Sequence, residues 1–485
     1  MAVVHESPIP VSITDAPKPA LDLHAILDAQ RAAFQRTGAP DYAHRMTALE
    51  KIQRLLLDHK DAWGDAISAD FGNRSRHETL MAEIFTSVTS VKHCRAHLAK
   101  WMRPKRAPIA LQFKPGRGKL FYQPRGVVGI ISPWNYPLQL AIIPLAQALA
   151  AGNRVMLKPS ELTPRTSELL KKAISENFSE EEVAVITGGA DVGATFSTLP
   201  FDHLFYTGST NVGRMVMQAA ARNLTPVTLE LGGKSPVIIG EACNITKAMG
   251  SIASGKLLNA GQTCVAPDYV FVPENKREKF VKAFEQAAAR FYPTLADNDQ
   301  YTSIVNDRHY QRVRGLLDDA KAKGAMIVEC NPNNEDVAAK RKIAPTLVLG
   351  ATEDMKIMQE EIFGPVMPVL TYKREDEAVA YINARPRPLA LYYFGDNTEA
   401  SEKVINATIS GGVCVNDTLF HIVQEELPFG GVGPSGIGSY HGLAGFKTFS
   451  HEKSVFFQSK FNTAWMLRAP YGKLFNSVIK SLIGK

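Results

Sequence analysis

Between positions 21 and 100, apolar residues recur every third or fourth place, most plainly in TALEKIQRLLLDHKDAW, and this spacing predicts amphipathic helices with one buried face. PIALQFKPGRGKLFYQPRG breaks that period. It reads as two short strands around a Pro115-Gly116 turn, a hairpin that projects from the body. Short Val/Ile runs then alternate with helical segments: GVVGIIS, RVMLKPS, EEVAVITG, HLFYTGS and TPVTLELGG. Nearly continuous apolar strands separated by helices imply a parallel sheet covered on both faces. A second alternation begins near Ser235, with SPVIIG, YVFVP, MIVEC and PVMPVLTY as strands and NKREKFVKAFEQAAARF as a helix. The expected fold class is α/β, with two lobes of similar size. In the last fifteen residues, Leu474, Phe475, Val478, Ile479, Leu482 and Ile483 share one helical face, apart from Lys473 and Lys480. That face suits docking on the protein's own body, on a second subunit, or as peripheral contact with a membrane.

Length and composition narrow the classes. A chain of 485 residues is too long for one small core, and its 45% hydrophobic content is that of a folded protein. The net charge of +7 is a small excess of 55 Lys+Arg over 48 Asp+Glu, spread along the chain, so it makes no case for nucleic acid. The five cysteines are widely spaced and form no C-x-x-C pair, which argues against disulfides and structural zinc and for a reducing compartment. MAVVHESPIPVSITDAPKPA has acidic residues and prolines where a secretion signal needs a basic start and an apolar run. A cytoplasmic protein is expected. The longest apolar stretch, Leu138 to Ala151, is broken by Gln139, Pro144 and Gln147 and falls short of the ~20 residues a membrane span needs.

Several residues carry candidate chemistry. NAGQTCVAP presents Cys264 after the apolar run Ile252 to Leu258, although a lone Cys is more often a buried filler. TLELGGKSP ends a strand-like run on Glu230, directly before two glycines, where a side chain either enters a cleft or simply closes a turn. Asn135 in ISPWNYP either terminates a strand or offers its amide to an oxyanion. YTGSTNVG places Gly208, Ser209 and Gly213 at a strand-to-helix junction that attracts anions, but it departs from G-x-G-x-x-G. In RVMLKPSELTP, Lys158 and Glu161 follow a strand, where they either meet a ligand or stand as a surface Lys and a helix-entry Glu before Thr163-Pro164.

Taken together, PWNYP, KPSELTP, the G-S-T-x-x-G turn, LELGGKSP, GQTCVAP, EEIFGPV and PFGGVGPSG follow the order and spacing of the aldehyde dehydrogenase superfamily, which the chain resembles from about residue 21 to 458. NDTLFHI, LPFGGVGPSGIGSYHG and FKTFSH make it most similar to the class 3 branch, and within that to the bacterial coniferyl aldehyde dehydrogenases. Pro144 stands nine residues after Asn135, as in class 3 relatives, where many other members carry a Lys.

The resemblance implies an aldehyde dehydrogenase fold. Residues 1–104 and 125–229 would bind NAD, 230–436 would be catalytic, and 105–124 with 437–485 would form an oligomerisation arm and tail of a homodimer. It implies that Cys264 attacks the aldehyde, that Asn135 and the Cys264 N–H hold the oxyanion, and that Glu230 activates the water that hydrolyses the thioester. Nearby donors and partial exposure are expected to favour the Cys264 thiolate. For the cofactor it implies Lys158 and Glu161 at the adenine ribose; Gly208, Ser209 and Gly213 at the pyrophosphate; Leu231 alongside; Glu361 at the nicotinamide ribose; and Phe363 against the nicotinamide. An acidic group at the ribose favours NAD, with NADP tolerated. Tyr136, Thr263 and the IVQEE stretch would line the aldehyde tunnel, for an aromatic, conjugated or longer aliphatic aldehyde. No metal is implied. A coenzyme A-acylating enzyme needs no water-activating carboxylate, and the intact LELGGKSP speaks against it. A silent structural relative would have been free to lose Cys264, Glu230 or Asn135.

Overall fold

The computed structural model describes residues 22–396 and 398–484. The N-terminal segment in which no secretion signal is expected lies outside the described residues. Helices Leu23–Thr37, Tyr42–Asp58, Lys60–Phe71 and Thr86–Trp101 fill the region of three-to-four periodicity. Asp22 and Asp41 open the first two, their side chains accepting the N–H of Ala25 at 3.0 Å and of His44 at 2.8 Å. The periodicity does not foretell Thr79–Phe85, a turn of π-helix ahead of Thr86–Trp101. Such turns are rare and cluster at functional sites.

The strands in chain order are β1 (Lys105–Ala107), β2 (Arg117–Pro124), β3 (Val127–Ile131), β4 (Arg154–Lys158), β5 (Val183–Val185), β6 (His203–Thr207), β7 (Val227–Glu230), β8 (Pro236–Ile239), β9 (Tyr269–Pro273), β10 (Met326–Glu329), β11 (Thr346–Leu349), β12 (Val366–Tyr372), β13 (Ala390–Phe394), β14 (Gly412–Val415), β15 (Gly436–Ile437) and β16 (Ser450–Phe457). They make three sheets, ordered β15-β7-β6-β3-β4-β5, β10-β11-β12-β9-β8-β13-β14 and β1-β2-β16. The first sheet is parallel apart from β15, and the second is parallel apart from β10. This is the α/β architecture that the alternating runs imply. The hairpin requires a correction. Its first strand is Lys105–Ala107, paired with Gly118 to Leu120, and PIALQF forms a connection containing a short 3-10 turn. Pro108 has no N–H to donate, so the ladder stops there.

Two features position the site. In the first sheet, β3 is flanked by β4 on one side and β6 on the other, so the chain winds outward in both directions from it. At such a switch point the carboxyl ends of the strands open a crevice. The register aligns Ile131 with Lys158 and with Tyr206, and Thr207 with Glu230, so these residues share one edge. In the second sheet, β8 and β9 start side by side with Pro236 opposite Tyr269, and the Asp268 N–H bonds to the Ser235 carbonyl at 2.8 Å. Glu230 closes β7 shortly before β8 begins, and the segment leading into β9 carries Cys264. Helix Gln139–Ala151 is buried at every residue, its two glutamines included, as a helix apolar on all other positions requires. Among the described residues, no helix is long and apolar enough to cross a membrane.

Candidate active site

The loop that presents Cys264 is shaped by backbone conformation. Helix Ile245–Leu257 ends in a turn where Asn259, Ala260 and Gly261 take φ of 52°, 50° and 72°. Of these only Asn259 and Ala260 are strained, since glycine takes positive φ freely, and strain of this kind persists only where neighbours enforce it. A Cβ on Gly261 would strike the Gly364 carbonyl, which ties GQTC to EEIFGPV by close backbone approach. Gln262 donates to the carbonyls of Asn259 and Ser303, both at 3.0 Å, and accepts from the Val305 N–H at 3.0 Å. Glu78 accepts from the Asn259 N–H at 3.1 Å and from Thr302 Oγ1 at 3.0 Å.

Asn135 is held from two sides. Its backbone carbonyl accepts from Arg74 Nη1 at 2.9 Å and from Asn259 Nδ2 at 3.0 Å, and its own Nδ2 donates to the Gln262 carbonyl at 3.2 Å. That bond uses one of the two amide hydrogens and keeps the amide beside the cysteine loop. Arg74 in turn pairs with Glu83 at 2.8 Å, both side chains being fully buried. The other Glu83 oxygen accepts the N–H groups of Leu138 and Gln139 at 2.9 and 2.8 Å, at the start of the buried helix.

Cys264, Tyr136 and Thr263 line one cavity of about 520 Å³, walled by apolar residues that include Met81, Phe85, Leu258, Phe291, Phe420 and Tyr440. Tyr136 Oη and Thr263 Oγ1 bond at 2.7 Å. Glu230, only 2% exposed, has neither carboxylate oxygen hydrogen-bonded among the described residues. Burial alone pushes its carboxyl well above the ordinary range. The expected thiolate is not what this environment favours. Burial first, then the Glu361 and Glu230 carboxylates, push the Cys264 thiol up to about 12, against the opposing pull of the Cys264 and Val265 N–H groups. Cys264 is partly exposed, as expected, but desolvation and the two carboxylates outweigh the donors.

The remaining candidates divide between two hollows. Lys158, Glu161, Gly208 and Ser209 line a cleft of about 590 Å³ beside Trp134. Lys158 is no surface residue: it is 3% exposed and donates to Glu161 Oε2 at 3.2 Å. Ser209 caps helix Thr210–Ala221, and Gly213 within that helix lies so close to Leu231 that a Cβ there would clash. Gly213 and Leu231 therefore pack beneath the cleft and do not line it. Glu361 lines an adjoining hollow with Gly232 and Gly233, where Gly232 leaves no room for a Cβ against its carboxylate. Burial, then Asp268, push the Glu361 carboxyl up to about 8, while the Gly233 N–H, Lys234 and Arg312 pull it down. Phe363 sits at φ 48° with its ring 5.4 Å from Trp134, edge to face.

Sequence reasoning missed Arg74, Glu78, Glu83 and Tyr440. A signal existed for Glu83, an acid inside the apolar run LMAEIF.

The chain thus places Cys264 in an apolar cavity and opens a separate cleft at the mouth of a parallel sheet. Residues 12–455 match the model of the aldehyde dehydrogenase family. The chain is 51% identical to a probable coniferyl aldehyde dehydrogenase of Pseudomonas aeruginosa, over 95% of this chain and 96% of that one. It is similar to the solved substrate-bound AldH of Staphylococcus aureus, with 40% identity, a TM-score of 0.90 and coverage of 95% of this chain and 99% of that one. It is also similar to an aldehyde dehydrogenase of Mycobacterium tuberculosis solved with NAD+, with 28% identity, a TM-score of 0.81 and coverage of 90% of each chain. The chain belongs to the aldehyde dehydrogenase family and is an oxidoreductase that takes an aldehyde to its carboxylic acid with a nicotinamide cofactor.

Proposed function

We propose that Cys264 is the nucleophile, that Asn135 Nδ2 and the Cys264 N–H hold the oxyanion, and that Glu230 is the base for hydrolysis. The observation that carries this division is Glu230: a carboxyl with no hydrogen-bond partner among the described residues, near enough to the Cys264 sulfur to act on its ionisation. A structural carboxylate would be paired; an unpaired one whose carboxyl burial pushes up suits proton transfer. Cys264 Sγ, its proton having passed to solvent water, adds as the thiolate to the aldehyde carbon, and the carbonyl oxygen takes up the charge. A nicotinamide held by Glu361 and Phe363 would supply the hydride acceptor for that carbon, so that the acyl group would remain on Cys264 as a thioester. Glu230 then removes a proton from water, whose oxygen attacks the acyl carbon and expels the sulfur, releasing the acid.

NAD is the preferred cofactor, because the Glu161 carboxylate suits two ribose hydroxyls and repels a 2′-phosphate. Lys158 and Arg222 line the same cleft, so NADP is tolerated. Lys158, Glu161, Gly208 and Ser209 serve the adenosine and pyrophosphate, Glu361 the second ribose, and Phe363 the nicotinamide face, with Gly213 and Leu231 as their support. The cofactor lobe is built on the first sheet, the catalytic lobe on the second, and β1-β2-β16 makes the arm. The outer edge of β16 has no partner among the described residues and pairs two copies into a dimer. The aldehyde is aromatic or conjugated, of the coniferyl kind named for the Pseudomonas aeruginosa relative, which suits the apolar wall of the cavity.

The C-terminal segment contacts anionic membrane surfaces. Helix Lys473–Leu482 buries no residue, and the chain after Glu452 carries six Lys/Arg and no acid. Equal binding to anionic vesicles by a chain ending at Pro470 would contradict this.

Comparing kcat/KM for coniferaldehyde, benzaldehyde and hexanal through dodecanal tests the substrate reading. Coniferaldehyde is expected to lead, and a maximum among the long aliphatic aldehydes would contradict it. In the Glu230→Gln protein with NAD and aldehyde, an acyl mass on the Cys264 peptide is expected, and acylation at another cysteine would contradict the assigned nucleophile.

A further inference from the structure

We propose that His93, His97 and Glu426 form a site for a divalent ion of the zinc class, which clamps helix Thr86–Trp101 to the loop walling the aldehyde cavity. His93 and His97 stand i, i+4 on that helix and face the same way, their rings stacked with centroids 4.2 Å apart. Glu426 Oε1 lies 3.3 Å from His93 Nε2 and 3.9 Å from His97 Nε2. The three donor atoms fall within 4.8 Å of one another. A tetrahedral ion with bonds of ~2.0–2.1 Å holds its ligand atoms about 3.3–3.4 Å apart, so Glu426 Oε1 already stands at that spacing from His93 Nε2, and the wider pairs would close by roughly 0.5 to 1.4 Å through side-chain rotation.

The hydrogen bonding around the rings is that of a ligand set. His97 Nδ1 lies 3.0 Å from the His93 carbonyl, which can only accept, so Nδ1 carries the hydrogen and a neutral ring turns the Nε2 lone pair toward Glu426. Metal-binding histidines are oriented by this kind of contact. His93 Nε2 is buried and makes no hydrogen bond among the described residues, although a carboxylate oxygen faces it. Protonating both rings would set two cations face to face at stacking distance. One divalent ion satisfies both lone pairs and the carboxylate together. Two imidazoles with one carboxylate suit zinc, nickel or copper; calcium and magnesium prefer all-oxygen sets.

The site adjoins the aldehyde cavity of the proposed reaction. Ser90 Oγ donates to Glu425 Oε2 at 3.1 Å, so the loop already touches the helix one turn before His93. Ile422 and Val423, shortly before Glu426, line the cavity, as does Thr86 at the start of the same helix. A bound ion would fix that wall.

The test uses untagged, chelator-treated protein carrying Cys264→Ser, so that the active-site thiol does not compete for metal. Zinc is titrated by calorimetry, and cobalt is added as an absorbing probe. One equivalent of zinc is expected to bind, with visible cobalt bands of a four- or five-coordinate nitrogen/oxygen site. Adding His97→Ala or Glu426→Gln, both at partly exposed or exposed positions, is expected to weaken zinc binding about 10- to 100-fold or more while leaving metal-free thermal unfolding in place. Unchanged stoichiometry and affinity in both variants would overturn the proposal, as would the absence of one-equivalent binding in the parent. Retained metal affinity, read directly, cannot be mistaken for a failure of the reaction proposed above, because neither readout depends on turnover.

Discussion

Arg74 donates to the backbone carbonyl of Asn135 at 2.9 Å, so a guanidinium with no solvent exposure holds the loop that carries the amide proposed for the oxyanion. Its charge is balanced by Glu83, which also anchors the first N–H groups of the buried helix after Asn135. Arg74→Met leaves Glu83 buried without its cation and is expected to cost ~3–5 kcal/mol in urea unfolding. A loss below ~1 kcal/mol would mean that the two backbone donors suffice.

Asn135→Ala keeps that backbone contact and removes only the side-chain amide. A fall in kcat of roughly 10²- to 10³-fold is expected if the amide serves the oxyanion. A near-normal kcat would assign oxyanion binding to the backbone N–H alone.

The raised Cys264 thiol has a pH signature. The thiolate is the reactive form, and a thiol pushed up to about 12 is almost wholly protonated from pH 6 to 9, so its thiolate fraction rises tenfold per pH unit across that range. Iodoacetamide inactivation of the cofactor-free enzyme should therefore climb with slope one in log rate through pH 9. A plateau below pH 8 would show a thiol that ionises far lower.

Much of this site is readable from the chain because its groups sit where strands end. Glu230, Lys158 and Ser209 each follow an apolar run, and glycines beside them mark the close approaches seen at Gly213 and Gly232. The polar interior is not readable in the same way. Arg74, Glu78 and Glu83 occur in a helical region where charge ordinarily means solvent, and periodicity reports faces without reporting depth. Tyr440 and Glu426 come from distant loops, so only the folded chain brings them to Cys264 and to His93. The strands β11 and β14 are only four residues each, whereas β13, ALYYF, carries a strand composition that the alternation read from the sequence passes over. The Cys264 environment could not be inferred from NAGQTCVAP, since the carboxylates that raise its thiol arrive from two other segments.

Glu161→Ser addresses cofactor choice. The acidic group is expected to set the preference, so the ratio of kcat/KM for NAD over NADP should fall by roughly tenfold or more, mainly through a better NADP value. An unchanged ratio would locate the discrimination elsewhere in the cleft.

The division of labour between Cys264 and Glu230 is most directly tested by rapid mixing of the Glu230→Gln enzyme with aldehyde and NAD, following NADH. The expected trace is a burst approaching one NADH per active site, followed by a steady state at least about 10²-fold below that of the parent, because acylation proceeds and hydrolysis stalls. Loss of the burst together with the steady state would contradict the assignment of Glu230 to the hydrolytic step.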